Sequence, residues 1–348
     1  MSKLKIAVIA PPLHFCGGME VIVKISEALY QLGHDVVFFE IDMELLYAPN
    51  YTFNIPFEIK ALNEHIEELS LFDICICTFW LSIEIVKDHV EQNKIVYLVQ
   101  HFEPVFQLDK HGKDNIFGKN FHSIIQASMN NSVIEHYRFA SKIIVVSSWL
   151  QRQLQMIIQN SIIKIELPIS EFFLRGNPER NRTNQAIQLT ILGSPWPWKG
   201  TKYAVESAIE FAKKYDYKVE INIFGYHYPI KSNQNQTIRN IGFINKKELK
   251  KLFQHSAVYI HAAGVEGVGL TCLEALAIGC PIALKRNGGH EEFEHWVKPE
   301  CIVDYNSELP KAIVAALDYL PPFNLIRADL RKRSWTTIAN QIIQYAAE

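Results

Sequence analysis

The stretch that decides the fold is LKIAVIAPPLHFCGGMEVIVKISEALYQLGHDVVFFEI, residues 4–41. Its first seven residues, 4–10, are mostly apolar, which is typical of a strand buried in a parallel sheet. A loop with two glycines follows, and then a helical stretch that stops at Gly33, a common helix terminator. A second apolar run, 34–41, completes the unit. The order strand, helix, strand predicts a βαβ unit, and hence a parallel sheet with right-handed crossovers.

The same alternation continues along the whole chain. Further strand candidates are 73–79, 94–100 and 142–148 in the first half, and 188–193, 218–225, 257–263 and 281–286 in the second. Helical or irregular stretches separate them. We therefore expect an α/β protein with a doubly wound sheet in each half.

The chain length of 348 residues suits two domains better than one. The polar segment 171–185, with Gly, Pro and Asn, is predicted as the linker. It would separate an N-terminal domain over 1–170, completed by a C-terminal amphipathic helix within 330–348, from a C-terminal domain over 186–329. Ligands in open α/β sheets bind beyond the carboxyl ends of the strands. We therefore expect one interdomain crevice, surrounded by the loops after residues 10, 100, 193, 225 and 264.

The composition is that of a globular protein, with 48% hydrophobic and 21% charged residues. The formal net charge of −2 gives no reason to expect nucleic acid as the main partner. The six cysteines form no CxxC pair and have no zinc-like spacing, so we expect buried thiols in a reducing compartment. Because no apolar stretch is long enough to cross a bilayer, we predict a cytoplasmic protein.

Two glutamates carry the chemical signal in HAAGVEGVGLTCLEALAIGCPIALKRNGGHEEF, residues 261–293. Glu266 lies in a glycine-rich loop after a predicted strand. Glu274 lies eight residues later, about one turn into the helix that follows. The free N–H groups at the start of such a helix bind phosphate well.

This arrangement predicts a binding site for a nucleotide sugar. The N–H groups of Gly269, Leu270 and Thr271 would bind the diphosphate. Glu274 would accept hydrogen bonds from two adjacent ribose hydroxyls, and Glu266 would reach the sugar beyond the phosphates.

Residues 266–281 and 288–291 resemble the E-x7-E signature of retaining GT-B glycosyltransferases, in particular glycosyltransferase family 4. The family pattern is E-G-F-G-L-x-x-L-E-A-x-A-x-G-x-P followed by G-G-x-x-E, and here Val268 replaces the usual Phe. The resemblance implies two Rossmann-like domains that face each other across a cleft. It also implies transfer of a sugar from a nucleotide-diphosphate donor to a glycan or other acceptor, in polysaccharide or glycoconjugate synthesis, without a metal ion or other cofactor.

Two further motifs extend the resemblance. Gly17 and Gly18 are similar to an N-terminal G-G-x-E loop whose N–H groups approach the donor phosphate and sugar. Gly193 to Gly200 resembles G-R-x-x-x-x-K-G, in which Lys199 would neutralise the leaving diphosphate.

One departure from the family pattern concerns the two cations, Arg and Lys, that bind the phosphates in G-R-x-x-x-x-K-G. Ser194 stands where the family usually has Arg, so one of two cations is missing while the position still lies in the donor loop. Arg286 or Lys202 are the candidates to replace its charge.

Other roles follow from the resemblance less directly. His101, after the strand at 94–100, would lie near the transferred sugar. Glu103 is predicted either to bind acceptor or to cap a turn. Phe243 and Ile244 are placed near the nucleotide base, or in a turn that enters a strand. The segment 104–138 would meet a glycan, a lipid-linked acceptor at the inner membrane face, or neither.

Missing motifs narrow the class of enzyme. The sequence has no D-x-D triplet for the metal-dependent GT-A mode, no G-x-G-x-x-G after the first strand and no P-loop signature. Two alternatives stay open. One is a non-catalytic nucleotide-sugar-binding partner subunit, which Ser194 favours, and the other is a sugar-nucleotide epimerase of the same shape.

Overall fold

A computed structural model describes residues 3–13, 16–43, 53–108, 116–129, 132–176, 186–230 and 236–348. The chain divides into two compact units. Unit 1 comprises Met1–Pro104, Asn130–Pro168 and Arg333–Glu348, and unit 2 comprises Val105–Met129 and Ile169–Lys332.

Unit 1 contains a sheet of seven parallel strands. The strands are β1 Lys5–Ala10, β2 Asp35–Glu40, β3 Glu58–Ala61, β4 Ile74–Cys77, β5 Ile95–Val99, β6 Lys142–Val145 and β7 Ser161–Lys164. They lie in the order β3-β2-β1-β4-β5-β6-β7. The central strands β1, β4 and β5 are buried along almost their whole length, as their apolar sequences require.

Unit 2 contains a second parallel sheet, of six strands. The strands are β8 Ile187–Gly193, β9 Val219–Gly225, β10 Gln236–Gly242, β11 Val258–His261, β12 Ile282–Lys285 and β13 Ile302–Val303. They lie in the order β10-β9-β8-β11-β12-β13. The order reverses between β8 and β11, as it does between β1 and β4 in the first sheet, so each sheet is wound in two directions.

Helices connect the strands in both units. The described helices are α1 Gly17–Gln31, α2 Leu62–His65, α3 Trp80–Val86, α4 Phe121–Ser128, α5 Val133–Phe139, α6 Ser148–Gln155, α7 Glu171–Leu174, α8 Thr201–Lys214, α9 Lys246–His255, α10 Leu270–Ala277, α11 Leu309–Leu317, α12 Phe323–Leu330 and α13 Trp335–Ala347. The predicted fold class, two Rossmann-like α/β domains, is confirmed. Throughout the described ranges, every helix is too short or too polar to cross a bilayer.

The start of α1 differs from the prediction. The two glycines expected in a loop open the helix, because Cys16 acts as its N-cap and its Sγ accepts a hydrogen bond from the N–H of Met19 at 3.3 Å. Cys16 is therefore exposed, whereas the expectation was a buried thiol. The other five cysteines are buried, as expected.

The C-terminal helix α13 belongs to unit 1. Tyr345 anchors it, because its hydroxyl accepts from the N–H of Ile143 at 3.2 Å and donates to the carbonyl of Ser161. These bonds attach α13 to β6 and β7. The family resemblance implies this return of the last helix to the N-terminal half.

The stretch 105–129 lies in unit 2, although the predicted boundary assigns it to the N-terminal domain. Aromatic packing explains the difference, since the rings of Phe106 and Phe117 lie 4.9 and 6.3 Å from that of Trp198. The buried ammonium of Lys285 adds bonds to the carbonyl oxygens of residues 117 and 119, at 2.9 and 2.6 Å. The predicted acceptor segment, 104–138, is therefore shared between the units, and its residues 109–115 and 130–131 lie outside the described ranges.

The predicted linker, 171–185, begins with the short helix α7. Its remaining part from 177 onward lies outside the described residues.

Candidate functional site

The loops after β8 and β11 meet at the point where the strand order of unit 2 reverses. Gly200, just after β8, has φ +69°, and a Cβ there would lie 2.0 Å from the carbonyl oxygen of Ala262. Only glycine permits this approach of two backbones. The N–H of Gly264 also donates to the carbonyl of Trp198 at 2.8 Å. The two loops therefore lie directly against each other, and each carries one predicted site residue.

Lys199 and Glu266 are those two residues. The Lys199 Nζ lies 2.8 Å from both carboxylate oxygens of Glu266. Both side chains are partly accessible, at 24% and 12%. The ion pair therefore presents a cation and a carboxylate at the carboxyl edge of the sheet, where α/β proteins bind ligands.

The loop after β12, which contains Gly288 and Gly289, is hydrogen-bonded to the Glu266 loop. The N–H of Glu266 donates to the carbonyl of Asn287 at 2.9 Å, and its carbonyl accepts from the N–H of Gly289 at 3.0 Å. A Cβ on Gly289 would lie 2.9 Å from both the Glu266 carbonyl oxygen and the backbone of Val268. The G-G element of the predicted motif thus has a structural role, which is to let the two loops touch.

A buried histidine, which the sequence analysis missed, lies behind Glu266. The Nε2 of His261 is 3.7 Å from Oε2 of Glu266, and its Nδ1 is 3.2 Å from the hydroxyl of Tyr259. That hydroxyl lies 2.9 Å from Oγ1 of Thr271. The pKa of His261 is lowered to about 4, mainly by burial; Glu266 opposes this shift and Lys199 adds to it. A neutral imidazole therefore ends a hydrogen-bonded chain that begins at Thr271.

The start of α10 has the geometry of an anion-binding helix end. Gly269 is its N-cap with φ 82° and ψ 57°, a left-handed conformation that favours glycine. Leu270 and Thr271 are the first residues of the helix and are half-buried. Because the first N–H groups of a helix have no acceptor within it, this end attracts anions.

Glu274 lies in the same helix and is 2% exposed. Lys246, the first residue of α9, places its Nζ 2.6 Å from Oε1 of Glu274. Asn245 sets the start of α9, since it exchanges hydrogen bonds with Glu248 at 3.0 and 2.9 Å. The second predicted carboxylate therefore also has a lysine partner, and the sequence analysis did not identify that partner.

The residues predicted to compensate for Ser194 are engaged elsewhere. Arg286 bonds to Asp304 at 3.0 Å and to His290 at 2.9 Å, while Lys202 lies 3.9 Å from Glu206. Both candidate cations therefore have other carboxylate partners, Asp304 and Glu206.

Ser194 itself stabilises the loop after β8. Its N–H donates to Oγ1 of Thr201 at 2.9 Å, and its hydroxyl accepts from the N–H of Trp196 at 3.3 Å.

The residues predicted near the base lie just after β10. Phe243 is 43% exposed and its ring meets that of Tyr226 edge-on at 4.8 Å. Ile244 is half-buried. Both follow Gly242, which ends the strand with φ +82°, so the predicted turn lies after a strand and not before one.

Three further predicted residues belong to unit 1. Gly17 and Gly18 open α1, and Nε2 of Gln100 donates to the carbonyl of Gly18 at 3.2 Å. His101 lies two residues after the end of β5 and is half-buried. Within unit 1, the loop after β5 therefore touches the start of α1.

Glu103, predicted either to bind acceptor or to cap a turn, accepts a hydrogen bond at the start of a helix. Its carboxylate accepts from the N–H of Trp80 at 2.9 Å, at the start of α3, and from the hydroxyl of Tyr97. Its own N–H donates to the hydroxyl of Tyr137 at 3.0 Å. Burial raises the pKa of Glu103 to about 8, although the two bonds it accepts lower it.

Comparison with known protein families gives a match over part of the chain. Residues 178–320, which include both lysine–glutamate pairs, match the family model of glycosyl transferases group 1. This stretch of the chain is therefore similar to a glycosyl transferases group 1 domain. No curated protein sequence matches it significantly.

Solved glycosyltransferase structures share the fold over nearly the whole chain. Sucrose-phosphate synthase from Thermosynechococcus elongatus has 15% identity and a TM-score of 0.69, with 98% of each chain covered. The catalytic domain of starch synthase IV from Arabidopsis thaliana, bound to ADP and acarbose, has 13% identity and a TM-score of 0.62, with 99% of each chain covered. HepE of Anabaena, in complex with UDP and glucose, has 13% identity and a TM-score of 0.62, covering 99% of this chain and 97% of its own. Together with the matched domain, this GT-B fold supports a glycosyltransferase.

Proposed function

We propose that the protein is a retaining glycosyltransferase similar to family 4, which transfers a sugar from a nucleotide-diphosphate donor to a glycan or other acceptor. One observation supports this most strongly. The Lys199–Glu266 pair lies at the strand-order reversal of unit 2, in the segment that matches the glycosyl transferases group 1 model.

The donor would bind along α10 and the two adjacent loops. The N–H groups of Gly269, Leu270 and Thr271 would bind the diphosphate, with Lys199 adding a positive charge. Glu274 would accept hydrogen bonds from the ribose hydroxyls. Phe243 and Ile244, after β10, would contact the base.

The reaction needs charge stabilisation more than a protein base. The bond between the sugar carbon and the diphosphate oxygen breaks, and its electron pair stays on the diphosphate. The acceptor oxygen forms the new bond to the same carbon, and its proton passes to the leaving phosphate. Lys199 and the N–H groups at the start of α10 stabilise the developing anion, and removing one such donor typically costs about 10²–10³-fold in rate.

Glu266 would orient the donor sugar. His261 supports this role, because its buried imidazole faces the same carboxylate. The family resemblance also assigns His101, Gly17 and Gly18 to the donor. The reaction would need no metal ion, because the lysine and the helix supply the positive charge.

The structural neighbours bind different nucleotides, since one is bound to ADP and another to UDP. We therefore propose a nucleoside diphosphate sugar without selecting one base. A cytoplasmic enzyme of polysaccharide or glycoconjugate synthesis, in contact with a glycan or lipid-linked acceptor, fits this chemistry.

Thermal unfolding with UDP, ADP, GDP and dTDP in the presence of EDTA tests the binding step. We expect at least one of them to raise the Tm without metal. Mass spectrometry of a panel of nucleotide sugars then tests the reaction, and we expect transfer or slow donor hydrolysis. Binding with no turnover would favour a non-catalytic subunit, and conversion of the donor to its epimer without acceptor would favour an epimerase. Either result would overturn the proposal.

A further inference from the structure

We propose that Lys246 is a positioning residue that makes the protein prefer ribonucleotides to 2′-deoxyribonucleotides, by acting through Glu274. This inference rests on the proposed function, which makes Glu274 the ligand of the ribose. It concerns a residue outside the recognised sequence motif.

The burial of Glu274 creates the need for a cation. Its carboxylate is 2% exposed, and a carboxylate removed from water favours its neutral form. The Lys246 ammonium, 2.6 Å away, favours the ionised form instead. An ionised carboxylate offers acceptor sites on both oxygens, whereas a protonated one uses part of that capacity for its own O–H.

The position of Lys246 is set by its surroundings. It is the first residue of α9, and the reciprocal bonds of Asn245 and Glu248 hold that helix start. Its Nζ also lies 5.9 Å from the centre of the Phe173 ring. The Lys246 side chain is 28% exposed, while the next residue, Lys247, is exposed. The ammonium is therefore built into the site, in contrast to a neighbouring lysine that is available as a control.

A ribose presents two adjacent hydroxyls, and both can donate to one carboxylate. Hydrogen bonds to an ionised group contribute roughly 1.5–3 kcal/mol each, about a tenfold effect or more on affinity. A 2′-deoxyribose lacks one donor. The discrimination between the two sugars then depends on how well Lys246 keeps Glu274 ionised and oriented.

The test compares, by calorimetry, the Kd of UDP with that of 2′-deoxyuridine diphosphate, and the Kd values of ADP and GDP with those of their 2′-deoxy forms. We expect the wild-type protein to prefer the ribonucleotide by roughly tenfold or more. In Lys246→Met the ratio should fall to within about threefold, mainly through weaker ribonucleotide binding. Lys246→Arg and the control Lys247→Met should keep most of the preference.

The ratio separates a specific role from a structural one. Loss of a positive charge, or a looser fold, weakens both nucleotides alike and leaves the ratio unchanged. Lys246→Gln provides a second neutral variant if the methionine variant unfolds. An unchanged ratio in the neutral variants, or no ribose preference in the wild type, would overturn the inference and leave the proposed function standing. Absence of binding to UDP, ADP, GDP and dTDP alike would instead contradict the proposed function.

Discussion

Lys199 Nζ contacts both carboxylate oxygens of Glu266 at 2.8 Å, although 67 residues separate the two in the chain. The topology produces this contact. β8 and β11 are neighbours at the reversal of strand order, so the loops that follow them leave the sheet side by side. A cation and a carboxylate are thereby held together before any ligand binds, which is the preorganisation that anion stabilisation requires.

We expect Lys199→Ala to lower the rate of sugar transfer by about 10²–10³-fold, because the leaving diphosphate loses its main cation. Initial rates with a saturating donor measure the effect, and circular dichroism checks the fold. Lys202→Ala is the matched control, since its side chain is 55% exposed and lies 3.9 Å from Glu206. Full turnover by Lys199→Ala would show that Lys199 does not stabilise the leaving diphosphate.

We expect Glu274→Ala to abolish transfer and to weaken nucleoside diphosphate binding by about tenfold or more, because the ribose loses its charged acceptor. Calorimetry with the diphosphate that stabilises the wild type most measures the loss. Glu210→Gln, an exposed change on α8, should bind as the wild type does. Wild-type affinity in Glu274→Ala would show that the ribose binds elsewhere.

Gly200→Ala should destabilise the protein by at least about 2 kcal/mol, because a Cβ would lie 2.0 Å from the Ala262 carbonyl oxygen at a left-handed φ of +69°. Gly33→Ala is the control for the φ effect alone. Gly33 has φ +92° and no atom within 4 Å of the added Cβ, so its cost should be about 1 kcal/mol. Urea unfolding measures both. Equal costs would contradict the close contact between the two loops.

Glu103 should make the folded state less stable as the pH rises. Its pKa is about 8 in the folded protein and 4.5 ordinarily, so between these values the folded state keeps a proton that the unfolded state releases. The free energy of unfolding then falls by roughly 1 kcal/mol for each pH unit in that window, and the full stabilisation is present below pH 4.5.

Glu103→Gln removes this titration and should flatten the fall of stability between pH 5.5 and 7.5. Glu67→Gln, at a side chain that is 89% exposed, should not change the slope. Urea unfolding across the pH range measures it. If the free energy of unfolding falls with pH equally steeply in Glu103→Gln and in the wild type, burial does not keep Glu103 protonated.

The central strands were predictable from sequence because burial on both faces demands continuous apolar runs, as in KIAVIA of β1 and IVYLV of β5. The edge strands β3, β7, β10 and β13 escaped prediction. Their sequences, such as EIKA in β3, alternate or mix polar and apolar residues, because only part of an edge strand is buried. The position of 105–129 also could not be derived, since it depends on the packing of Phe106 and Phe117 against a distant Trp198.

The residues of the candidate site also differ in how far the sequence indicates them. Glu266, Glu274 and Lys199 could be predicted as site residues because motif spacing along the chain marks them. Lys246 and His261 were not, because their contacts depend on which side chains α9 and β11 present to α10 and the Glu266 loop. The N-K-K-E sequence at 245–248 predicts a helix start by its capping pattern, but nothing local shows that Lys246 faces a carboxylate 28 residues away.

A crystal structure of the protein with UDP or ADP, grown in the presence of EDTA, tests the central claim most directly. We expect the diphosphate against the N–H groups of Gly269, Leu270 and Thr271, with Lys199 beside it and the ribose hydroxyls on Glu274. A nucleotide bound away from the start of α10, with Glu274 making no contact to its ribose, would contradict the proposed site.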